Sequence, residues 1–263
     1  MNKNVLITGA SGGIGLELAR IHARHGDNLI LIARSQDKLM ELKTEILKKH
    51  NVSVHIIAKD LAAENATSEI FNELESGSVK IDYLINNAGF GHYGEFVNNH
   101  WEKEKQMIEL NITALTHLTK LFLPGMIERG YGRIMNVASV AGFFPGPLMA
   151  VYYATKAFVL SFSEALNSEL DKTGVSVTAL CPGPTLSGFQ EAASVKGVKL
   201  FEHKGLPTSA QVAEYGYKAM IKDKTVAIHG IQNLLMVTAV RFVPRNMVSR
   251  IVKMVQGRKK QST

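Results

Sequence analysis

Short apolar runs alternate with longer stretches of helical spacing along most of the chain. Residues 5–8 form the first run, and a Gly-rich turn follows. Leu16, Leu18, Ala19, Ile21 and Ala23 then recur at the spacing of an amphipathic helix. Residues 29–33, 52–58, 81–85, 134–137, 176–180 and 225–229 read as further strands. Between them, residues 36–49, 63–75, 102–126 and 209–221 carry helical patterns, and another helix opens near Val151. Strict strand–helix alternation predicts an α/β protein: a doubly wound parallel sheet of about seven strands, with helices on both faces and right-handed crossovers. No linker, repeat or low-complexity segment divides residues 1–263, so one domain of the Rossmann type is expected.

Composition narrows the class little. With 46% hydrophobic and 20% charged residues, the chain has an ordinary globular balance. A single cysteine, Cys181, excludes an internal disulfide and fits a reducing compartment; a cytoplasmic location is expected. The start lacks the apolar core of a signal peptide. The longest apolar stretch, 230–243, is broken by Gln232, Asn233 and Arg241, too polar for a membrane span. No metal site is expected: His22 and His25 lack a carboxylate or Cys pattern and read as a solvated helix face. The net charge is +7, with Arg241, Arg245, Arg250, Lys253, Arg258, Lys259 and Lys260 clustered in the tail. No nucleic-acid motif accompanies them, so nucleic acid is not an expected partner.

Candidate chemistry gathers just after the strands, along the sheet edge where such folds bind ligands. After the first strand, Gly9, Ser11, Gly13, Ile14 and Gly15 lie in a G-x-x-x-G-x-G turn that opens a helix. Glycines there let the backbone approach a diphosphate, and the helix N-terminus offers free N–H groups. After the second strand, Arg34 and Ser35 stand where NAD-binding folds often carry an acid. A guanidinium suits a 2′-phosphate, so NADP(H) is favoured over NAD(H). Asp60 and Leu61 follow the third strand, placed to meet an adenine; Asp60 reads equally as a helix N-cap. Asn87, Ala88 and Gly89 follow the fourth, with a self-satisfied turn as their alternative reading.

The densest chemistry lies in residues 133–156. Ser139 ends a strand, and Tyr152 and Lys156 sit four apart on a helix, sharing one face. A phenol titrates near 10, and an adjacent ammonium lowers that value. Ser139 can donate to an oxygen that gains negative charge. Together these three suit proton transfer to a carbonyl oxygen. Asn111, inside a helical pattern, is locally unfavourable and calls for a reason.

These residues, in this order, resemble the compact single-domain branch of the short-chain dehydrogenase/reductase family. The likeness rests on residues 8–15, 86–89, Asn111, Ser139, Tyr152-x-x-x-Lys156 and Pro182-Gly183, and covers about residues 4–229. It implies hydride transfer between NADP(H) and a carbonyl or secondary alcohol. Tyr152 would be the proton donor or acceptor, and Lys156 would lower its pKa and hold the nicotinamide ribose. Ser139 would orient the substrate, and Asn111 would hold a relay water. Pro182, Gly183 and Thr185 would meet the nicotinamide end. Family spacing selects Tyr152 over its neighbour Tyr153. The second basic residue often found in the Gly-rich loop is absent. A homodimer or homotetramer is the family's usual state. The alternative is an NADP(H)-binding regulator or scaffold without turnover, against which the complete set of four argues.

The substrate pocket is expected from residues 90–93, 143–149 and 189–206. Phe143, Phe144, Leu148, Met149, Phe189, Leu200 and Phe201 make it apolar, so an apolar ketone or aldehyde suits it. His92 reads as a solvated loop residue. Beyond the family pattern, residues 231–243 are apolar and residues 246–259 are basic and amphipathic, a C-terminal extension expected at about 231–260. Three uses compete: packing on the domain or a sister subunit, covering the cleft, or a weak contact with an anionic membrane surface. Packing is favoured, since an apolar stripe at helical spacing is ordinarily an interface.

Overall fold

The computed structural model describes residues 2–189, 193, 198 and 205–257. Seven parallel strands form one sheet in the order β3-β2-β1-β4-β5-β6-β7. They are β1 (Asn4–Thr8), β2 (Asn28–Ala33), β3 (Val54–Ala58), β4 (Tyr83–Asn86), β5 (Gly132–Val137), β6 (Val175–Cys181) and β7 (Val226–Ile228). The strands are apolar without alternation because both faces are covered. Val5 and Ile7 of β1 enter one core cluster with Leu29 and Leu31 of β2. Leu6, Ile30 and Ile32 enter another on the opposite face. Each such side chain contributes about 1.5–3 kcal/mol by leaving water.

Helices α1 (Gly13–Arg24), α2 (Gln36–Lys49), α3 (Ala66–Ser76), α4 (Trp101–Ile108), α5 (Leu115–Glu128) and α6 (Ala150–Glu169) alternate with the strands. Helix α7 (Ser209–Ile221) precedes β7 and starts with a capping box between Thr208 and Gln211. Two further helices, α8 (Ile231–Val240) and α9 (Arg245–Gln256), make up the C-terminal extension.

Three expectations are corrected here. The helix expected over 102–126 is two helices joined by a π-helical turn, Glu109–Ala114, with Asn111 inside it. Asp60 does not cap α3; its carboxylate accepts from Ala62 N–H in a local turn, and Asn65 holds the N-cap position. His22 is buried rather than solvated, because Asp27 meets its Nδ1 at 2.7 Å. Burial lowers the His22 pKa despite that partner. His25 is exposed, as expected, and stacks on Tyr217.

The strand order reverses between β1 and β4. In open α/β sheets that is where the crevice for a ligand opens.

Candidate active site

A cleft of about 390 Å³ opens at this switch point. Its floor includes Gly9, Ser11, Gly13, Ile14, Asn87, Ala88 and Gly89. The C-terminal ends of β1 and β4 are stitched together beneath it. Thr8 Oγ1 accepts from the backbone N–H groups of Asn87 and Ala88, each at 2.9 Å. Asn87 Nδ2 donates to the carbonyls of Thr8 (2.9 Å) and Gly9 (3.2 Å). Asn87 is thus a strut of the floor, and its turn is satisfied across two strands rather than within itself.

This clasp explains the glycine spacing. Gly9 has φ +66°, and a Cβ there would lie 2.8 Å from Asn87 Nδ2. A Cβ on Gly15 would run into the Asn87 amide and the Gly9 carbonyl. Gly15 is therefore buried and packs under the loop, outside the cleft lining. Gly12, at the N-cap of α1, faces open space. The first turn of α1 has no acidic residue and no side-chain cap, so its leading N–H groups remain available to an anion. An open, glycine-lined cradle of N–H groups fits the diphosphate of a dinucleotide.

At the other end of the cleft, Ser139, Tyr152 and Lys156 come together, all buried. Ser139 follows β5 and caps a short 3₁₀ turn (Val140–Phe143), accepting from Ala141 N–H at 3.1 Å. Its hydroxyl donates to the Pro182 carbonyl at 3.3 Å, and the Tyr152 side chain lines the same part of the cleft. Burial pushes the Tyr152 pKa well above its usual value; the Ser139 side chain opposes this in part. The expectation that Lys156 lowers it is not met. Lys156 Nζ donates to the Val137 carbonyl at 2.7 Å and lies 5.9 Å from the Tyr152 ring centre. Burial lowers the Lys156 pKa itself to about 8. At neutral pH the corner therefore holds a protonated phenol beside an ammonium that is easily neutralised.

Asn111 reaches this corner through the π-helical turn, a backbone irregularity common at functional sites. Its side chain clamps Phe90: Oδ1 accepts from the Phe90 N–H at 3.1 Å, and Nδ2 donates to the Phe90 carbonyl at 3.0 Å. Nδ2 also donates to Thr155 Oγ1 at 3.1 Å, and Thr155 in turn donates to the Tyr152 carbonyl. The asparagine thereby ties the 90–93 loop to the tyrosine's own helix. A Cβ on Gly89 would lie 2.9 Å from Asn111 Oδ1 and 3.5 Å from Lys156 Nζ, which shows how closely these groups gather.

Sequence reading missed the polar layer below. Asn86 Nδ2 donates to Thr119 Oγ1 (3.0 Å) and Asn136 Oδ1 (2.9 Å), and Asn136 Nδ2 donates to Ser163 Oγ (2.9 Å). These four buried side chains fix β4 and β5 against α5 and α6. The signal available was polar residues inside otherwise apolar segments.

The outer cofactor candidates stand apart from the cleft lining. Arg34 and Asp60 are exposed at the ends of β2 and β3, and Ser35 sits at the N-cap of α2. Leu61 is buried with Ile70 and Leu74 in the core, leaving little of it for a ligand. Pro182, Gly183 and Thr185 line the cleft beside Ser139.

The end of the cleft expected to take the substrate is apolar. Phe90, Met149, Tyr152, Tyr153 and Phe189 pack as one cluster, joined by Phe144 and Val252 of α9. Phe143 instead belongs to the core beside Val159 and Cys181, and Leu200 and Phe201 lie outside the described residues. His92 is mostly buried rather than solvated, 3.6 Å from the Glu104 carboxylate. The tail closes this end. Gln256 Nε2 donates to the Tyr153 hydroxyl, and Tyr93 Oη donates to the Gln256 carbonyl at 3.0 Å. From α8, Asn233 packs over Gly183.

Fold and cleft together define an α/β protein of the dinucleotide-binding type. Residues 3–196 match the family model for short chain dehydrogenase, and the chain belongs to that family. It is 38% identical over 183 residues to the human (Homo sapiens) very-long-chain 3-oxoacyl-CoA reductase, covering 67% of this chain and 57% of that one. The chain thus spans well under two thirds of that relative's length. It is 34% identical over 232 residues to the ketoacyl reductase HetN of Nostoc sp. (strain PCC 7120 / SAG 25.82 / UTEX 2576), covering 88% and 79% of the two chains. Among solved structures, a short-chain dehydrogenase from Sphingobium yanoikuyae in complex with NADPH superposes with a TM-score of 0.83 at 31% identity, covering 99% and 98% of the two chains.

Proposed function

We propose that this chain is an NADP(H)-dependent oxidoreductase that reduces a ketone carbonyl on an apolar, acyl-type substrate. The observation that carries this reading is the gathering of buried Ser139, Tyr152 and Lys156 at the apolar end of a glycine-floored cleft. When bound, the nicotinamide supplies or accepts the hydride. The chain's own residues do the rest. The α1 N-terminus and residues 9–13 would hold the diphosphate, and Ala88, Gly89, Lys156, Pro182, Gly183 and Thr185 would hold the nicotinamide end. Arg34, exposed after β2 with Ser35 beside it, would hold a 2′-phosphate and so favour NADP(H). Asp60, exposed after β3, would border the adenine, with Leu61 backing it from the core.

Ser139 donates to the substrate oxygen, and Tyr152 Oη delivers its proton there as charge develops. Burial favours the protonated form of the phenol, so Tyr152 holds a proton to give. Lys156 restores the proton from its ammonium, and Asn111 holds the helix geometry and a relay water. The apolar lining and the named activities of the two curated relatives support a 3-oxoacyl substrate over a charged sugar.

The test is a titration with NADPH and NADH, followed by a carbonyl panel monitored by cofactor oxidation. The reading predicts NADPH binding at least about tenfold tighter, as one charge-assisted contact contributes. It also predicts turnover that rises with acyl chain length. Equal or tighter NADH binding contradicts the role of Arg34. Tight NADPH binding with no turnover across the panel contradicts the enzyme reading and favours a cofactor-binding regulator.

A further inference from the structure

Helices α8 and α9 each bury one face and expose the other. Val237, on α8, and Val248 and Gln256, on α9, turn inward. Outward stand Ile231, Leu234 and Leu235 on α8, Phe242 in the connecting turn at 85% exposure, and Met247, Ile251 and Met254 on α9. With Met236 and Val255 they make nine of the eighteen large hydrophobic side chains exposed among the described residues. Such concentration in one segment marks a surface that meets something apolar.

Charge decides what that is. The last forty residues hold eight Lys and Arg and no Asp or Glu, so the formal charge of +7 comes entirely from them. Met247, Ile251 and Met254 follow an i, i+4, i+7 spacing on one side of α9, and Arg250 and Lys253 lie on the adjoining side. Arg241 and Arg245 flank Phe242. Among the described residues, none of these four cations pairs with a carboxylate. A second copy seated on this face would bring like charges together with no acid to meet them. An apolar stripe edged with unpaired cations is the pattern of a helix lying in a lipid interface.

We propose that the α8–α9 segment docks this protein onto an anionic lipid bilayer. The exposed apolar side chains enter the boundary between headgroups and acyl chains, and the cations meet the lipid phosphates. The same segment walls the cleft through Gln256 and Asn233, so the docked surface and the substrate end share one support.

Sedimentation of the full-length protein with vesicles tests this, using pure phosphatidylcholine and a mixture with phosphatidylglycerol. The expected result is capture by the mixed vesicles, with little by phosphatidylcholine alone, weakening as salt is raised. Arg250→Gln with Lys253→Gln should lower the partition coefficient about 25-fold, at about fivefold per cation. Met247→Ser with Ile251→Ser should lower it at least about tenfold. All four positions are exposed, and circular dichroism checks that the variants keep the fold. No capture by anionic vesicles, or capture unchanged in both variants, overturns the proposal. So does a shift to a smaller particle in sedimentation velocity for Met247→Ser with Ile251→Ser when no vesicles are bound, since the face then belongs to a second copy.

Discussion

Tyr152 and Tyr153 are neighbours on α6, yet they belong to regions built by different means. The Tyr152 side is held by short polar contacts that converge from the ends of β4, β5 and β6. Ser139, Asn111, Thr155 and Lys156 each have at least one fixed partner there. The Tyr153 side is held by apolar packing and by one reach across the chain, from Gln256 on α9, 103 residues away. Proton transfer needs atoms fixed to a few tenths of an ångström, which hydrogen bonds between rigid elements supply. A wall that accommodates an apolar substrate needs shape more than direction, and packed side chains suffice for that. On the proposed function, the first region would specify the reaction and the second the substrate.

Substitutions sharpen this contrast by where their effects fall. Of the substitutions that keep both tyrosines, Ser139→Ala should have the largest effect, about a hundredfold loss of kcat with little change in KM. It removes a donor needed mainly as charge develops on the substrate oxygen. A loss confined to KM would show that Ser139 only binds.

Lys156→Met should next reveal the strain of the buried ammonium. In the folded protein this group titrates near 8, below the 10.5 of an exposed lysine, so the unfolded chain binds more protons between those values. Stability of the cofactor-free protein should therefore rise as pH goes from 8 towards 10, by about 1–3 kcal/mol. The Met variant should lose that rise, as read from urea unfolding at each pH. The raised pKa values of Cys181 and Tyr152 act in the opposite sense, above about pH 9 and pH 10, so the Lys156 contribution is read as the difference between the two proteins.

Gln256→Ala should have the smallest effect. It leaves the Tyr153 hydroxyl without this partner and loosens the end of α9, so KM should rise a few-fold with kcat nearly constant. Stability should fall by about 1 kcal/mol. A large fall in kcat would mean that the tail supports the chemistry and that the two regions are not separable.

The fold was legible because its strands are covered on both faces and so stand out as unbroken apolar runs between amphipathic stretches. Gly9, Ser139, Tyr152 and Lys156 were legible because their spacing and strand-end positions carry meaning together. Asn111 was flagged as out of place, but its π-helical turn was not foreseen: one extra residue in a helical turn barely disturbs a pattern read over 25 residues. His22 escaped because its partner, Asp27, lies beyond the helix, and a histidine on an amphipathic pattern gives no sign of which face it occupies. The Gln256–Tyr153 bond escaped because nothing local encodes a contact between distant segments. The pKa of Tyr152 was misjudged for a related reason. Helical spacing sets two side chains on one face, but it does not say that Lys156 will turn to the Val137 carbonyl.

Proton transfer by Tyr152 is open to a direct test with a matched pair of variants. Tyr152→Phe and Tyr153→Phe are each assayed for NADPH binding and for NADPH oxidation with the best carbonyl of the panel. The account predicts that Tyr152→Phe binds NADPH normally and loses at least about a hundredfold in kcat, while Tyr153→Phe keeps kcat within a few-fold. Near-normal turnover in Tyr152→Phe, with loss in Tyr153→Phe, would contradict it.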